Sequence, residues 1–155
     1  MRISIWAIGK TDEKYLDEGI QKYLNRLVHY TKVDLVTFKD VKPAPTTEET
    51  LKREAEMILS KIKTEDNLIL LDEFGQMFRS VQFSAYIEKL QLQGIRHTIF
   101  LIGGAFGHHE SIRARAQGSI SLSKMTFSHQ MVRLFFTEQL YRAFTIMRNE
   151  KYHND

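Results

Sequence analysis

Three glycines follow an apolar run in the segment Ile102–Gly107, which reads IGGAFG. Glycine at the end of a buried strand allows a sharp turn and lets a ligand approach the backbone amides closely. The spacing differs from the dinucleotide fingerprint G-x-G-x-x-G, and no Lys-Ser or Lys-Thr pair follows to make a P-loop. The segment is consistent both with a simple tight turn and with the wall of a nucleotide-like pocket.

A second group, Leu71–Gly75 (LDEFG), ends another apolar run with two adjacent carboxylates. If both runs are strands of one parallel sheet, Asp72 and Glu73 emerge at the same edge as the glycines. Carboxylates in that position can bind ribose hydroxyls or act as acid and base. Spacing alone favours the simpler interpretation that they are solvated loop residues.

The segment Gly118–Phe144 joins a short alternating strand, GSISLS, through a polar turn, KMTFSH, to a helix that is apolar in every sector. A turn between a strand end and a helix start is the usual ligand position in α/β proteins. One sheet face cannot cover such a helix, so we expect a partner subunit, most commonly in a two-fold dimer. Glu138 and Arg142 are spaced i,i+4 and can pair, and at a dimer seam Arg142 is better explained as a substrate ligand.

Six histidines raise the question of a metal site, because His108, His109 and Glu110 are adjacent. Consecutive residues point in different directions, and no second pair at helical spacing accompanies them. The sequence therefore predicts that no metal is bound.

Strands and helices alternate five times along the chain. Apolar runs predict strands at residues 2–9, 33–38, 67–75, 97–104 and 119–122. Apolar residues at helical spacing follow each strand, with a predicted cap in the Thr-Thr-Glu-Glu cluster at 46–49 and another at Ser80, and a predicted helix end at Gly94. This alternation predicts an α/β fold, a parallel sheet covered on both faces.

The composition is that of a single globular domain spanning residues 1–155, with 43% hydrophobic and 26% charged residues. The absence of cysteine excludes disulfides, thiolate nucleophiles and cysteine-based zinc sites, and it fits a cytoplasmic protein. No apolar stretch reaches membrane-spanning length, and the N-terminal run is predicted to be a strand rather than a signal peptide. A net charge of +3 permits nucleic-acid binding without requiring it.

Seven segments, in order, carry a resemblance over essentially the full chain to the RlmH family of SPOUT-class methyltransferases. They are AIGK, YLNRL, LDEFG with Ser80, IGGAFG, SLSKMTFSHQMVR, EQLYRAF and the terminal YH. The resemblance implies S-adenosylmethionine-dependent methylation of N3 of a pseudouridine in 23S ribosomal RNA. It also implies a trefoil knot in the C-terminal part of the sheet and an obligate homodimer. No periodicity argument predicts a knot.

The resemblance also assigns site residues. Those expected to bind the cofactor are Leu71, Gly103, Leu122, Ser123, Lys124, Met125, Thr126 and Phe127. Those expected on the substrate side are His129, Arg133 and Glu138, together with Arg142, Tyr152 and His153. Because the N3 proton must leave during methylation, we predict that Arg142, Tyr152 and His153 are catalytic, with the C-terminal tail lying over a cofactor.

Two positions depart from the family pattern. Ser128 stands where proline is usual, so the turn lacks a fixed φ and is either looser or held by the serine hydroxyl. Gln76 stands where lysine is common, which removes one positive charge near the site.

Basic residues are expected to contact RNA phosphates, namely Lys22, Arg26, Arg113, Arg115, Arg148 and Lys151. A charge of +3 per chain gives +6 for a dimer (3 + 3), which is modest for an RNA enzyme. We therefore expect the substrate to be 23S ribosomal RNA within the assembled ribosome. One alternative is a non-enzymatic RNA- or ribosome-binding module. A second is a small nucleotide-dependent dehydrogenase, and the missing dinucleotide fingerprint argues against it.

Overall fold

Strands and helices alternate along the chain, of which the computed structural model describes residues 1–154. The strands are β1 Arg2–Ile8, β2 Lys32–Phe38, β3 Asn67–Met77, β4 His97–Ile102 and β5 Gly118–Ser121. The helices are α1 Lys14–Leu27, α2 Thr47–Leu59, α3 Ser80–Leu92, α4 Glu110–Arg115 and α5 His129–Met147. The strands form one parallel sheet in the order β2-β1-β4-β3-β5. The predicted α/β class with a parallel sheet is confirmed.

The sheet is covered on both faces because its central strands are apolar on both sides. Helices α1, α3 and α5 pack on one face, where Phe100 of β4 contacts Phe136 of α5 with ring centroids 4.8 Å apart. Helices α2 and α4 pack on the other face, around Trp6 and Ile58. Two cores therefore hold the strand ends in a fixed position.

Helix α5 lies between α1 and α3, so much of its apolar surface is covered within the chain. Gly19 of α1 makes the close approach possible, because a Cβ there would lie 2.9 Å from Leu134 of α5. Phe135 remains 39% exposed. Helices α1 and α3 therefore cover most of the apolar surface of α5 that led us to predict a partner subunit, and the Phe135 ring remains partly exposed.

The helix caps agree with the sequence at two of three predicted positions. Thr46 caps α2 by accepting a hydrogen bond of 3.2 Å from the Glu49 amide. Gly94, at φ +73°, follows the end of α3 as expected. The predicted cap at Ser80 is wrong, because Ser80 is already the first residue of α3 and its hydroxyl donates to the Gln139 side chain over 3.0 Å.

Strand β3 continues past its predicted end through a bulge. Leu71 and Gln76 both pair with Ile120 of β5, so residues 72–75 bulge out of the ladder. Gly75 lies so close to β5 that a Cβ would fall 2.6 Å from the Ile120 backbone nitrogen and carbonyl carbon. The acidic residues predicted to end the strand lie in this bulge, and Gln76 resumes the pairing.

A buried arginine joins the first turns of α5 to the end of β1. Arg133 is fully buried, and its guanidinium donates to the carbonyls of Ile8 and Gly9 at 2.7 and 3.1 Å. It also donates to the Thr11 hydroxyl at 3.2 Å. The side chain of Gln130 reinforces the joint through bonds to the Asp12 amide and the Lys10 carbonyl. The start of α5 is therefore fixed by the loop that follows β1.

Among residues 1–154, none of the helices has the length and apolar character needed to cross a membrane.

We predict that Gly75→Ala lowers the free energy of unfolding by about 1–3 kcal/mol, because the added methyl group would push β3 and β5 apart. Gly118→Ala is the matched control, since its Cβ would meet Ile69 at 3.5 Å, an ordinary contact. Urea denaturation followed by circular dichroism measures both. Equal midpoints for the two variants would contradict the prediction.

We predict that Arg133→Met lowers the free energy of unfolding by about 2–4 kcal/mol, because two buried carbonyls lose charge-assisted donors. Arg133→Lys should recover only part of the loss, since an ammonium group lacks the planar fork. Urea denaturation again gives the comparison. A variant with unchanged stability but a raised KM for RNA would instead support direct substrate contact.

Candidate functional site

A cavity of about 590 Å³ opens at the carboxyl ends of β3, β4 and β5. Its walls are the β3 bulge, the glycine segment after β4, the loop between β5 and α5, and the first turn of α5. Carboxyl ends of parallel strands are where α/β proteins bind ligands, and the volume lies in the range of small-molecule sites. All three segments singled out by sequence therefore meet at one cavity.

Most of the predicted cofactor residues line this cavity. They are Leu71, Gly103, Leu122, Ser123, Met125, Thr126 and Phe127. The remaining predicted cofactor residue, Lys124, is exposed and does not line the cavity. His129, predicted on the substrate side, lines the cavity, whereas the predicted substrate contact of Arg133 does not agree with its complete burial against β1. Arg133 instead positions the helix that follows the cofactor loop.

The glycine segment after β4 is a closed turn that forms one wall of the cavity. Gly104 and Gly107 pair as an isolated bridge, and Gly107 has φ +80°. A Cβ at Gly103 would lie 2.8 Å from the Gly107 carbonyl oxygen. The segment is therefore both a tight turn and a wall of the cavity, because the turn brings its own backbone to the cavity.

Serine hydroxyls hold the loop between β5 and α5. The Ser121 hydroxyl donates to the Ser123 carbonyl at 2.8 Å, and the Ser123 hydroxyl accepts from the Met125 amide at 2.9 Å. Ser128 caps α5 by accepting from the Met131 amide at 3.2 Å. Of the two outcomes expected for Ser128, the structure shows a turn held by the hydroxyl.

The wall nearest β3 contains an ion pair and a histidine that sequence reasoning did not connect. The Asp72 carboxylate lies 2.5 Å from the Arg113 guanidinium and also accepts from the Phe74 amide at 3.0 Å. His108 donates from Nε2 to the Leu71 carbonyl at 3.0 Å, and since a carbonyl only accepts, that nitrogen carries the proton. Burial lowers the pKa of His108, so the ring is neutral at pH 7. The only sequence signal was that Asp72 and His108 follow strand ends.

The side chain of the next residue, His109, caps a helix. His109 caps α4 by accepting from the Ser111 amide at 3.1 Å and lies 3.1 Å from a Glu48 carboxylate oxygen. Within the described part of the chain, His, Cys, Asp and Glu side chains do not gather in a group of three that could hold a metal ion.

Four predicted residues form a second group, which we call the tail cluster: Glu138, Arg142, Tyr152 and His153. Glu138 Oε1 accepts from Arg142 at 2.6 Å and from the Tyr152 hydroxyl at 2.9 Å. Arg142 donates to His153 Nδ1 over 3.4 Å, and its guanidinium lies 4.7 Å from the Tyr152 ring centroid. Asn149, at φ +54°, reverses the chain after α5. The C-terminal tail therefore folds back on α5 of its own chain.

The tail cluster and the cavity lie apart on the single chain. Among the described residues, none of the four cluster members lines the cavity. His129 and Arg142 are thirteen residues apart on α5, which at 1.5 Å per residue is about 20 Å along the helix. A reaction that uses both places needs them brought together by something outside one chain.

Tyr152 is held in its neutral form. Burial and its bonds to Tyr23 and Glu138 raise the pKa of Tyr152 far above neutrality. The phenol therefore donates a hydrogen bond at pH 7 and does not accept a proton.

Comparison with known proteins agrees with this geometry. A family described as predicted SPOUT methyltransferase matches residues 1–153. The chain is 51% identical to ribosomal RNA large subunit methyltransferase H of Flavobacterium johnsoniae and 50% identical to the protein of that name from Christiangramia forsetii, each comparison covering 99% of both chains. The structure of a probable methylase family protein from Haemophilus influenzae Rd KW20 shares the fold, with a TM-score of 0.52, 11% identity, and coverage of 99% of this chain and 70% of that one. The chain therefore belongs to the SPOUT methyltransferase family and, within it, to the family of ribosomal RNA large subunit methyltransferase H.

Proposed function

We propose that this chain is a methyltransferase of large-subunit ribosomal RNA that uses S-adenosylmethionine to methylate N3 of a pseudouridine in 23S rRNA. The observation that carries the proposal is the cavity at the strand ends, which is lined by seven of the eight residues expected to bind the cofactor. The relatives named ribosomal RNA large subunit methyltransferase H support the substrate class. The enzyme acts as a single domain in the cytoplasm.

The chemistry of the cavity fits S-adenosylmethionine. Ile102, Leu122 and Val132 supply apolar surface suited to an adenine ring. The Gly103–Gly107 turn and the serine-held loop bring backbone groups to the wall, where they can bind polar atoms of a nucleoside and an amino acid. Glu73 contributes an exposed carboxylate to the lining that is compatible with a positively charged sulfur, whereas the Asp72 carboxylate is paired with Arg113.

When bound, the cofactor supplies a methyl group already activated on a sulfonium. The main task of the protein is then to hold the nucleophilic nitrogen close and in line, which contributes roughly 7–11 kcal/mol in favourable cases. The rigid strand ends and the joint between α5 and β1 fix the cavity for this purpose.

The tail cluster would stabilise the base while its N3 proton passes to solvent water. Arg142 is aimed by its bond to Glu138, and its positive charge would stabilise the anion that develops on the base. Tyr152, which is neutral, would donate a hydrogen bond to the same anion rather than remove the proton. Glu138 therefore acts as a positioning residue in this proposal, and His153 completes the cluster beside Arg142.

A homodimer would bring the tail cluster of one chain to the cavity of the other. The distance of about 20 Å between His129 and Arg142 along α5 supports this, since the cavity and the tail cluster lie apart within a single chain. An apolar groove of about 380 Å³ beside the cofactor loop, flanked by the exposed rings of Phe127 and Phe135, is the surface we assign to the seam. The trefoil knot belongs to the same proposal and would involve the loops that meet at the cavity.

Calorimetric titration tests the cofactor. We expect S-adenosylmethionine to bind at one site per chain and a nicotinamide dinucleotide not to bind, because the glycine segment lacks the dinucleotide fingerprint. Absence of any heat with S-adenosylmethionine would contradict the proposal and favour a non-enzymatic RNA-binding module.

Deletion of residues 152–155 tests the tail. We expect methyl transfer to large ribosomal subunits to fall by about 10²-fold or more, the scale of losing a donor that stabilises a developing anion, with cofactor affinity unchanged. Tyr152→Phe is the matched variant, because it keeps the ring and removes only the hydroxyl bonded to Glu138. Undiminished methylation after the deletion would exclude a catalytic tail.

A further inference from the structure

The basic residues expected to contact RNA fall into two groups. Arg115 is engaged by the protein itself, because it donates to the carbonyls of Lys63, Thr64 and Asp66 at 2.8, 3.4 and 2.9 Å. Arg113 is paired with Asp72 in the cavity wall. Neither guanidinium is therefore well placed to hold RNA outside the cavity.

The other four basic residues lie in the second half of α1 and just after α5, two helices that pack against each other. They are Lys22, Arg26, Arg148 and Lys151, and all four are exposed. Among the described residues, none of the four has a carboxylate within 4.0 Å. This surface therefore carries positive charge that the protein does not neutralise by ion pairing.

Tyrosine rings form the floor of this surface. The Tyr141 ring lies 5.8 Å from Tyr23, 6.0 Å from Tyr30 and 4.8 Å from Tyr152, between ring centroids. Tyr30 also donates to a Glu150 carboxylate oxygen at 2.5 Å, which ties the segment after α5 to the end of α1. The four rings are half-buried, so they are held in place and still reach the surface.

Two arginines stack on these rings. The Arg26 guanidinium lies 5.5 Å from the Tyr141 centroid, and that of Arg148 lies 5.0 Å from the Tyr30 centroid. A guanidinium stacked on a ring keeps its N–H edges available for phosphate oxygens. We call the surface made by Tyr23, Arg26, Tyr30, Tyr141, Arg148 and Tyr152 the tyrosine–arginine face.

We infer that the tyrosine–arginine face binds single-stranded RNA next to the nucleotide that reacts. Planar cations over aromatic rings suit unstacked bases, and unpaired arginines and lysines suit phosphates. Tyr152 belongs both to this face and to the tail cluster, so RNA held here would lead to Arg142. The inference rests on the proposed function, because it concerns how the same substrate reaches the same tail.

The test neutralises two cations on the face. Arg26→Gln/Arg148→Gln should weaken binding to large ribosomal subunits about tenfold at 150 mM salt and reduce the slope of log K against log salt by about 1.4, or roughly 0.7 for each lost single-strand phosphate contact. Lys52→Gln/Lys61→Gln is the matched control, since Lys52 in α2 and Lys61 just after it are exposed on the opposite face of the sheet and carry the same charge. Arg26→Lys should lose part of the affinity while keeping the salt slope, because the charge remains and the planar group does not.

Filter binding gives these values without requiring methylation, so the inference can fail separately from the proposed function. Identical RNA affinity for the face variant and the control would overturn it. A face variant that sediments at a different mass yet binds RNA normally would also overturn it and identify an interface between copies of this chain. A raised KM in methyl transfer, with unchanged cofactor affinity, would support it.

Discussion

The buried guanidinium of Arg133 is the constraint on which the cavity depends. Burying a cation is costly unless its donors are satisfied. Here the two terminal nitrogens of the guanidinium reach the carbonyls of Ile8 and Gly9 rather than a carboxylate, and Nε has no hydrogen-bond partner among the described residues. Burial lowers the pKa of Arg133 while nearby Asp12 and Asp40 oppose that effect, and an arginine remains charged. Because Ile8 ends β1, a strand paired on both sides, and Gly9 follows it directly, the start of α5 cannot shift without disturbing the sheet.

That constraint explains how a loop without regular structure can form a binding wall. The segment after β5 is anchored by Ser121 at one end and by the capped first turn of α5 at the other. The opposite wall is fixed in a different way, by the bulge in β3 and by the Asp72–Arg113 pair. The cavity is thus assembled from rigid neighbours, which is what positioning for an in-line transfer requires.

The order of strands and helices along the chain could be predicted from the sequence, because the hydrophobic periodicity shows which face of each element is buried. Contacts between distant segments leave no periodic trace, so nothing in the sequence placed Arg133 against Gly9, 124 residues away. The same limit applies to Asp72 and Arg113, and to the tail that folds back on its own α5. The failure of Ser80 as a cap has the same origin, since its hydroxyl donates to Gln139 of α5, 59 residues away.

Ser128 shows how one backbone geometry can be reached by two kinds of chemistry. The resemblance led us to expect proline, whose ring fixes φ near −65° and stabilises by about 0.4–1 kcal/mol through the unfolded chain. Ser128 adopts φ −62° without a ring, and its hydroxyl caps the Met131 amide. A serine cap contributes about 1 kcal/mol, which is comparable. The serine therefore need not loosen the cofactor loop, because a hydrogen bond in the folded state does the work that a restricted φ does in the unfolded one.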